Sequence, residues 1–350
     1  MLERMRLQQL SRSAAFVWFA LMVSTPRPSL AQATDSLQRT PADIAQTQET
    51  PQIFAPGIIS GPAHDAAPAF APDGKTVYFG RSNTSVSTIL VSHALGKTWT
   101  QPEIAPFSGQ WNDMEPAMAP DGSYLLFISN RPIKPGGAPV DGFYNNKSWP
   151  GRGAAIWQVD RTAKGWEEPH PLPPIINSGV SIFAPSVASN RSVYFMKPDG
   201  PKSRFRLFRS QWDGQSFDQP VPLSFSTGEE TDVDPAVAPD ESFIVFGSGR
   251  APADKSIDLF ICFQDNGIWG TPIHLGSVVN SPGSDAEARL SPDGKTLYFT
   301  SDRVEQVHFP ELTSTRQDDL RKMTGWNNSL YNIWFVSIER WLREHRGGRQ

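Results

Sequence analysis

Cysteine is almost missing from this chain. The single Cys262 lies in the apolar run 259–263, so no internal disulfide can form and stability has to come from burial. A chain of 350 residues can supply such a core. In that setting the thiol reads as a small buried hydrophobe, not a reactive group. An excess of either charge is missing as well. Thirty-two Lys and Arg stand against 36 Asp and Glu, a formal net charge of −4. With no basic block, the electrostatic footprint of a nucleic-acid binder is absent. Common catalytic signatures are also lacking. Gly-Lys-Thr occurs three times, led by Gly74, Gly96 and Gly294. The glycine a phosphate loop needs five residues earlier is Ala69, Val91 and Arg289 instead. The six histidines (His64, His93, His170, His274, His308 and His345) show no H-x-x-x-H spacing, which argues against zinc. No Gly-x-Ser-x-Gly elbow is present.

Long apolar runs are confined to the N-terminus. Arg4, Arg6 and Arg12 precede AAFVWFALMV (14–23), and Ala31-Gln32-Ala33 follows as a small-x-small cleavage site. This is the pattern of a secretory signal over residues 1–33, with an apolar run too short for a stable span. Cleavage removes four Arg and one Glu, taking the net charge from −4 to −7. The expected location is periplasmic or secreted, with no transmembrane span after cleavage. Residues 34–50 are polar and aperiodic, as in a flexible linker.

Proline, glycine and aromatics are abundant. Thirty-two Pro, 27 Gly and 11% aromatics favour short strands and many turns. Five segments repeat one strand–turn–strand core: 67–83, 115–131, 184–197, 234–250 and 287–303, the last reading EARLSPDGKTLYFTSDR. Their anchors Pro68, Pro116, Pro185, Pro235 and Ala288 are 48, 69, 50 and 53 residues apart. A third apolar strand follows each core: STILVSH, AAIWQVD, FRLFRSQ, IDLFICF and YNIWFVS. Four repeats then add an aromatic three residues before a proline: Trp99/Pro102, Trp166/Pro169, Phe217/Pro220 and Trp269/Pro272. Four strands per unit of this length is the signature of propeller blades.

The fifth repeat lacks the aromatic-x-x-Pro strand, whereas PQIFAPGIISG (51–61) stands unclaimed before the first. Letting it complete the last blade closes the ring and hides the edge. The expected fold is therefore an all-β, five-bladed propeller over 51–340, with a basic tail at 341–350. Six blades, the alternative, would require strands the chain does not have.

The SPDGKTLYFTSDR pattern, preceded by Asp-x-Glu and by Trp-x-x-Pro…Asn, resembles the WD40-like propeller repeats of the TolB type over roughly residues 51–340. The resemblance implies the fold far more than a function. TolB-type propellers usually carry six blades and a separate α/β domain, and this chain departs from both.

In such a blade the start of the innermost strand and the connection between the second and third strands share one face. The Pro-Asp-Gly turns (Asp73-Gly74, Asp121-Gly122, Asp293-Gly294) fall on the other, where Asp and Gly serve turn geometry. The first face carries one carboxylate column, Asp65, Asp113, Asp232 and Asp285, and a second two residues later, Glu115, Asp234 and Glu287. The third blade has Ile182 and Ala184 there. Arg131, Arg250 and Arg303 return to this face, with Asn83 and Asp199 in the matching slots. Two readings stay open: salt bridges inside each blade, or a polar channel mouth for a ligand. No cofactor motif is present, and a divalent cation in the channel is the one open option. Long loops at 131–153 (Phe143, Tyr144, Trp149) and 304–330 (His308, Phe309, Trp326) fall on the same face, with a short helix expected over 312–323.

Two functions compete. One is a non-catalytic binding or scaffold module for an envelope protein, peptide or glycan, using the paired columns, Tyr144, Trp149 and Trp326. The other is a glycoside hydrolase resembling the five-bladed arabinanase type, with Asp65 as base, Glu115 as acid and Asp234 as pKa modulator.

Overall fold

The computed structural model describes residues 48–348 apart from 84, 145–146, 180, 201–202, 254–255 and 308. The expected signal, most of the linker and His308 lie outside these residues.

A short β1 (Gln52–Ile53) precedes the first blade, which is built from β2 (His64–Phe70), β3 (Thr76–Ser82), β4 (Ser87–Leu95), β5 (Thr98–Trp99) and β6 (Glu103–Ile104). Blade 2 starts with β7 (Asp113–Met118) and β8 (Tyr124–Ser129). A separate hairpin, β9 (Gly142–Tyr144) and β10 (Lys147–Trp149), interrupts it before β11 (Ala155–Thr162), β12 (Gly165–Trp166) and β13 (His170–Pro171). Blade 3 comprises β14 (Phe183–Val187), β15 (Val193–Pro198), β16 (Phe205–Ser210) and β17 (Val221–Pro222). Blade 4 comprises β18 (Asp232–Val237), β19 (Phe243–Ser248), β20 (Asp258–Asp265), β21 (Ile268–Trp269) and β22 (Ile273–His274). Blade 5 is β23 (Asp285–Leu290), β24 (Thr296–Ser301) and, after helix α1 (Thr313–Met323), β25 (Asn332–Ser337). Helix α2 (Glu339–Gly347) ends the described chain.

All strand pairings in the blades are antiparallel, and β1 pairs with β25 through Gln52↔Phe335 and Ile53↔Trp334. The fold is thus a five-bladed β-propeller whose last blade is completed by the N-terminal strand. Second strands such as β8 (YLLFIS) and β19 (FIVFGS) are buried at every position. A strand with a neighbouring blade on both faces reads as a continuous apolar run, not an alternating one. The outermost strands are short and broken because Pro102, Pro169 and Pro272 offer no N–H to the ladder.

Each innermost strand carries a bulge at one place. Ala67, Glu115, Ala184, Asp234 and Glu287 all have φ between 49° and 55°, and the ladder register shifts at each.

The C-terminal segment differs from the expected basic tail. Trp341, Leu342 and His345 share one face of α2, and the two apolar residues pack on the core of blades 4 and 5. The His345 ring stacks on Phe263 at 3.9 Å. Among the described residues, no helix is long and apolar enough to cross a membrane.

Candidate functional site

The first carboxylate column forms an outer ring in which each Asp meets an arginine of its own blade. The shortest N···O distances are 2.6 Å for Arg81–Asp65, 3.1 Å for Arg131–Asp113, 2.6 Å for Arg250–Asp232 and 2.6 Å for Arg303–Asp285. All four aspartates are buried. Each also accepts a hydrogen bond from the loop that brings the chain in from the previous blade. The donors are Gly61 N (2.8 Å), Ser108 Oγ (2.8 Å), Ser226 Oγ (2.7 Å) and Ser281 N (2.6 Å). The same arginines donate to loop carbonyls at Ile59, Phe107, Phe225 and Val279. They lie over Phe79, Phe127, Phe246 and Phe299 of their own blades at 4.9–5.5 Å. Each set therefore fastens one inter-blade loop to one blade. Burial outweighs the arginine in two of them, pushing Asp65 up to about 6 and raising Asp113.

Arg81 was not among the expected site residues, whose pattern put Asn83 in that slot. In blades 2, 4 and 5 a serine (Ser129, Ser248, Ser301) stands across the ladder from the aspartate, and the arginine reaches back from two residues later. In blade 1 Arg81 itself stands opposite Asp65. An arginine in register with an aspartate was the signal available in the sequence. In blade 3 Ile182 is buried and Asp199 pairs with Arg206.

The second column forms an inner cluster. Glu115, Asp234 and Glu287 sit together around Arg289, which occupies the channel position held by Ala69, Ala117, Ser186 and Ala236 in the other blades. Two of the carboxylates reach across to the next blade's bulge. Ala184 N donates to Glu115 Oε2 at 2.5 Å, and Glu287 N donates to Asp234 Oδ2 at 3.0 Å. Thr300 Oγ1 donates to Glu287 Oε2 at 3.0 Å. Burial and mutual repulsion push Glu115 up to about 8 and Glu287 up to about 7, and burial raises Asp234.

The Arg289 guanidinium donates to Pro116 O (3.4 Å) in blade 2 and to Ala288 O (2.7 Å), while its buried Nη2 has no hydrogen-bond partner among the described residues. On the turn side it lines a cavity of about 80 Å³ rimmed by Pro72, Pro120, Pro239 and Pro292. Among the described residues no group of three or more His, Cys, Asp or Glu is disposed to hold a metal ion. Asp65 lies outside the inner cluster, with Arg81 and Gly61 as its partners.

The loops supply the exposed part of this face. Trp149 is 40% exposed in β10, with Lys147 Nζ 4.1 Å from its ring centre, and Tyr144 lies across the hairpin in β9. Phe309 and Leu312, before α1, are 78% and 73% exposed. Trp326 instead packs edge-on against Trp334 at 5.8 Å, joining the core of blade 5.

Fold and site together define a five-bladed β-propeller with four Asp–Arg pairs, one each in blades 1, 2, 4 and 5, and a buried carboxylate cluster around Arg289. No family model and no curated protein matches the sequence. Solved structures with a similar arrangement include a protein assigned as TolB from Agrobacterium tumefaciens (16% identity, 69% of this chain and 70% of that one, TM-score 0.44). TolB from Acinetobacter baumannii (13%, 79% and 55%, 0.43) and a Trypanosoma rangeli sialidase (12%, 81% and 56%, 0.41) are similar to a like degree. Likeness at this level says nothing about the chemistry of the site.

Proposed function

We propose that this protein is a non-catalytic β-propeller, exported to the periplasm or beyond, that acts as a binding or scaffold module for an envelope protein, peptide or glycan. Contact is made through the face that carries the channel mouth, with the loops 131–153 and 304–330 as the reaching elements. One observation carries this reading. The outer-ring aspartates are buried, and each is engaged by its own blade's arginine and an incoming loop. Groups spent in this way hold the loops in place, which leaves Trp149 and its neighbours as the surface a partner meets.

A glycoside hydrolase is favoured by a different observation. Burial and the neighbouring carboxylates push Glu115 up to about 8, which favours the protonated form a general acid needs. Glycan arrays and pull-downs from an envelope fraction, run beside turnover assays on aryl glycosides and arabinan, separate the two. We expect binding that weakens about tenfold with Trp149→Ala, a loss of about 1.4 kcal/mol, and no turnover above the blank. Turnover abolished by Glu115→Gln would refute the binding-only reading. N-terminal sequencing of the exported protein is expected to start at Thr34.

A further inference from the structure

The turn between the first two strands of each blade requires one residue at positive φ. Gly74, Gly122 and Gly294 fill it in three blades, but Arg191 (φ 67°) and Glu241 (φ 60°) stand there in blades 3 and 4. All five donate the same turn hydrogen bond, to Ala71, Ala119, Ala188, Ala238 and Ser291. A side chain is disfavoured in this conformation, so its presence calls for a compensating contact.

Glu241 has one. It accepts from Tyr194 Oη (2.7 Å), Arg209 Nε (2.8 Å) and Asn190 Nδ2 (2.8 Å). Arg191 has no such counter-ion. Its guanidinium lies 4.9 Å from the Tyr124 ring centre and 5.4 Å from that of Trp212, and among the described residues no carboxylate reaches ion-pair distance. The nearby acids are committed elsewhere. Asp121, which feels the Arg191 charge, accepts from Ser123 N and Oγ, and Asp160 accepts from Gln158 Nε2.

Arg191 is also a wall shared by two cavities. One, of about 190 Å³, extends to Pro120 and Ser189 on the turn face. The other is a groove of about 450 Å³ between blades 2 and 3, walled by Pro171, Leu172, Pro173, Trp212 and Phe217. Trp212 and Phe217 meet edge to face at 4.8 Å. The volume falls in the usual range for ligand clefts. None of its walls belongs to the carboxylate rings.

We propose that this groove binds a short peptide segment of a partner protein in which one carboxylate is flanked by apolar side chains. The carboxylate pairs with Arg191, and its neighbours lie against Trp212, Phe217 and the prolines. Charge complementarity picks the anion, since the exposed guanidinium is oriented over aromatic rings and makes no contact ion pair among the described residues. The walls pick a peptide over a sugar. A pyranose needs hydrogen-bonding groups along the groove, yet the Asn177 amide is consumed by Ile156 N, Ile156 O and Leu172 O, Gln158 Nε2 donates to Asp160, and His170 faces Asp160 at 3.8 Å.

The test is selection of a phage-displayed dodecamer library on the full chain, followed by fluorescence polarisation with the recovered peptides made synthetically. The expected consensus is one Asp or Glu among Leu, Phe or Pro residues. Affinity should fall at least tenfold with Arg191→Gly and with Trp212→Ala. Arg191→Gly restores the residue that three sister turns use, so its melting temperature should match or exceed that of the parent. A selection with no acidic–apolar consensus, or binding indifferent to Arg191→Gly, would overturn the proposal. Loss of thermal stability in Arg191→Gly would make the arginine a structural element. Arg191-dependent binding on a glycan array without peptide binding would make the groove a sugar site.

Discussion

At the scale of single residues, the outer-ring arginines are judged by what their removal leaves behind. Asp285 is fully buried, and the Arg303 side chain that covers it is 14% exposed. Arg303→Ala would strand a buried carboxylate, which typically costs about 3–5 kcal/mol. Arg81 is 31% exposed at its side chain, so water can partly replace it over Asp65 and the loss there should be smaller. Denaturant unfolding of both variants checks this order, and an Arg303→Ala loss below about 1 kcal/mol would contradict it. Much of this ring was legible, because Asp at one end of a repeat and Arg at the other recur together. Arg289 was not. It breaks the repeat at a position where the other blades hold alanine or serine, and a pattern found by similarity hides its exceptions. The contacts from Glu115 to Ala184 and from Asp234 to Glu287 were hidden for a related reason: they run between blades and occur at only some junctions.

Among the elements, β1 matters more than its two residues suggest. The Phe54 that follows it is buried and meets Phe70 and Trp99 of blade 1 and Tyr298 and Phe335 of blade 5 at 5.2–6.2 Å. It therefore seals the junction where the ring closes. Truncating a buried phenylalanine costs about 3–5 kcal/mol. Phe54→Ala should reach that range and also expose the edge of β25, so light scattering on heating should rise earlier than in the parent. Unchanged unfolding would mean that closure contributes little. The blades themselves could be read from the chain because proline, turn residues and apolar strands recur in one order. α2 could not, since nine residues rich in Arg and Glu look like a solvated tail until Trp341 and Leu342 meet the blade edge.

For the whole molecule, the inner cluster couples stability to pH. Unfolded, both groups ionise near the ordinary glutamate value of 4.5; burial and mutual repulsion push Glu115 up to about 8 and Glu287 up to about 7 in the folded state. Between those values the folded state binds more protons than the unfolded one, so stability falls as pH rises. The contribution is complete below about pH 4.5 and lost by about pH 8, with a slope of at most about 1.4 kcal/mol per pH unit for each group. Melting temperature should therefore decline from pH 5 to pH 8, and Glu115→Gln should flatten the decline. A profile that rises over this window would contradict the cluster's raised affinities.

The closing strand has a further consequence, for order in time. Ser60, just past it, bonds to Ile333, 273 residues later in the chain. The ribosome makes one partner of this junction 273 residues before the other. Whatever the early blades do in between, the circle stays open until β25 has been made. Folding must then end with a long-range encounter, which by its loop-closure entropy is the slow kind.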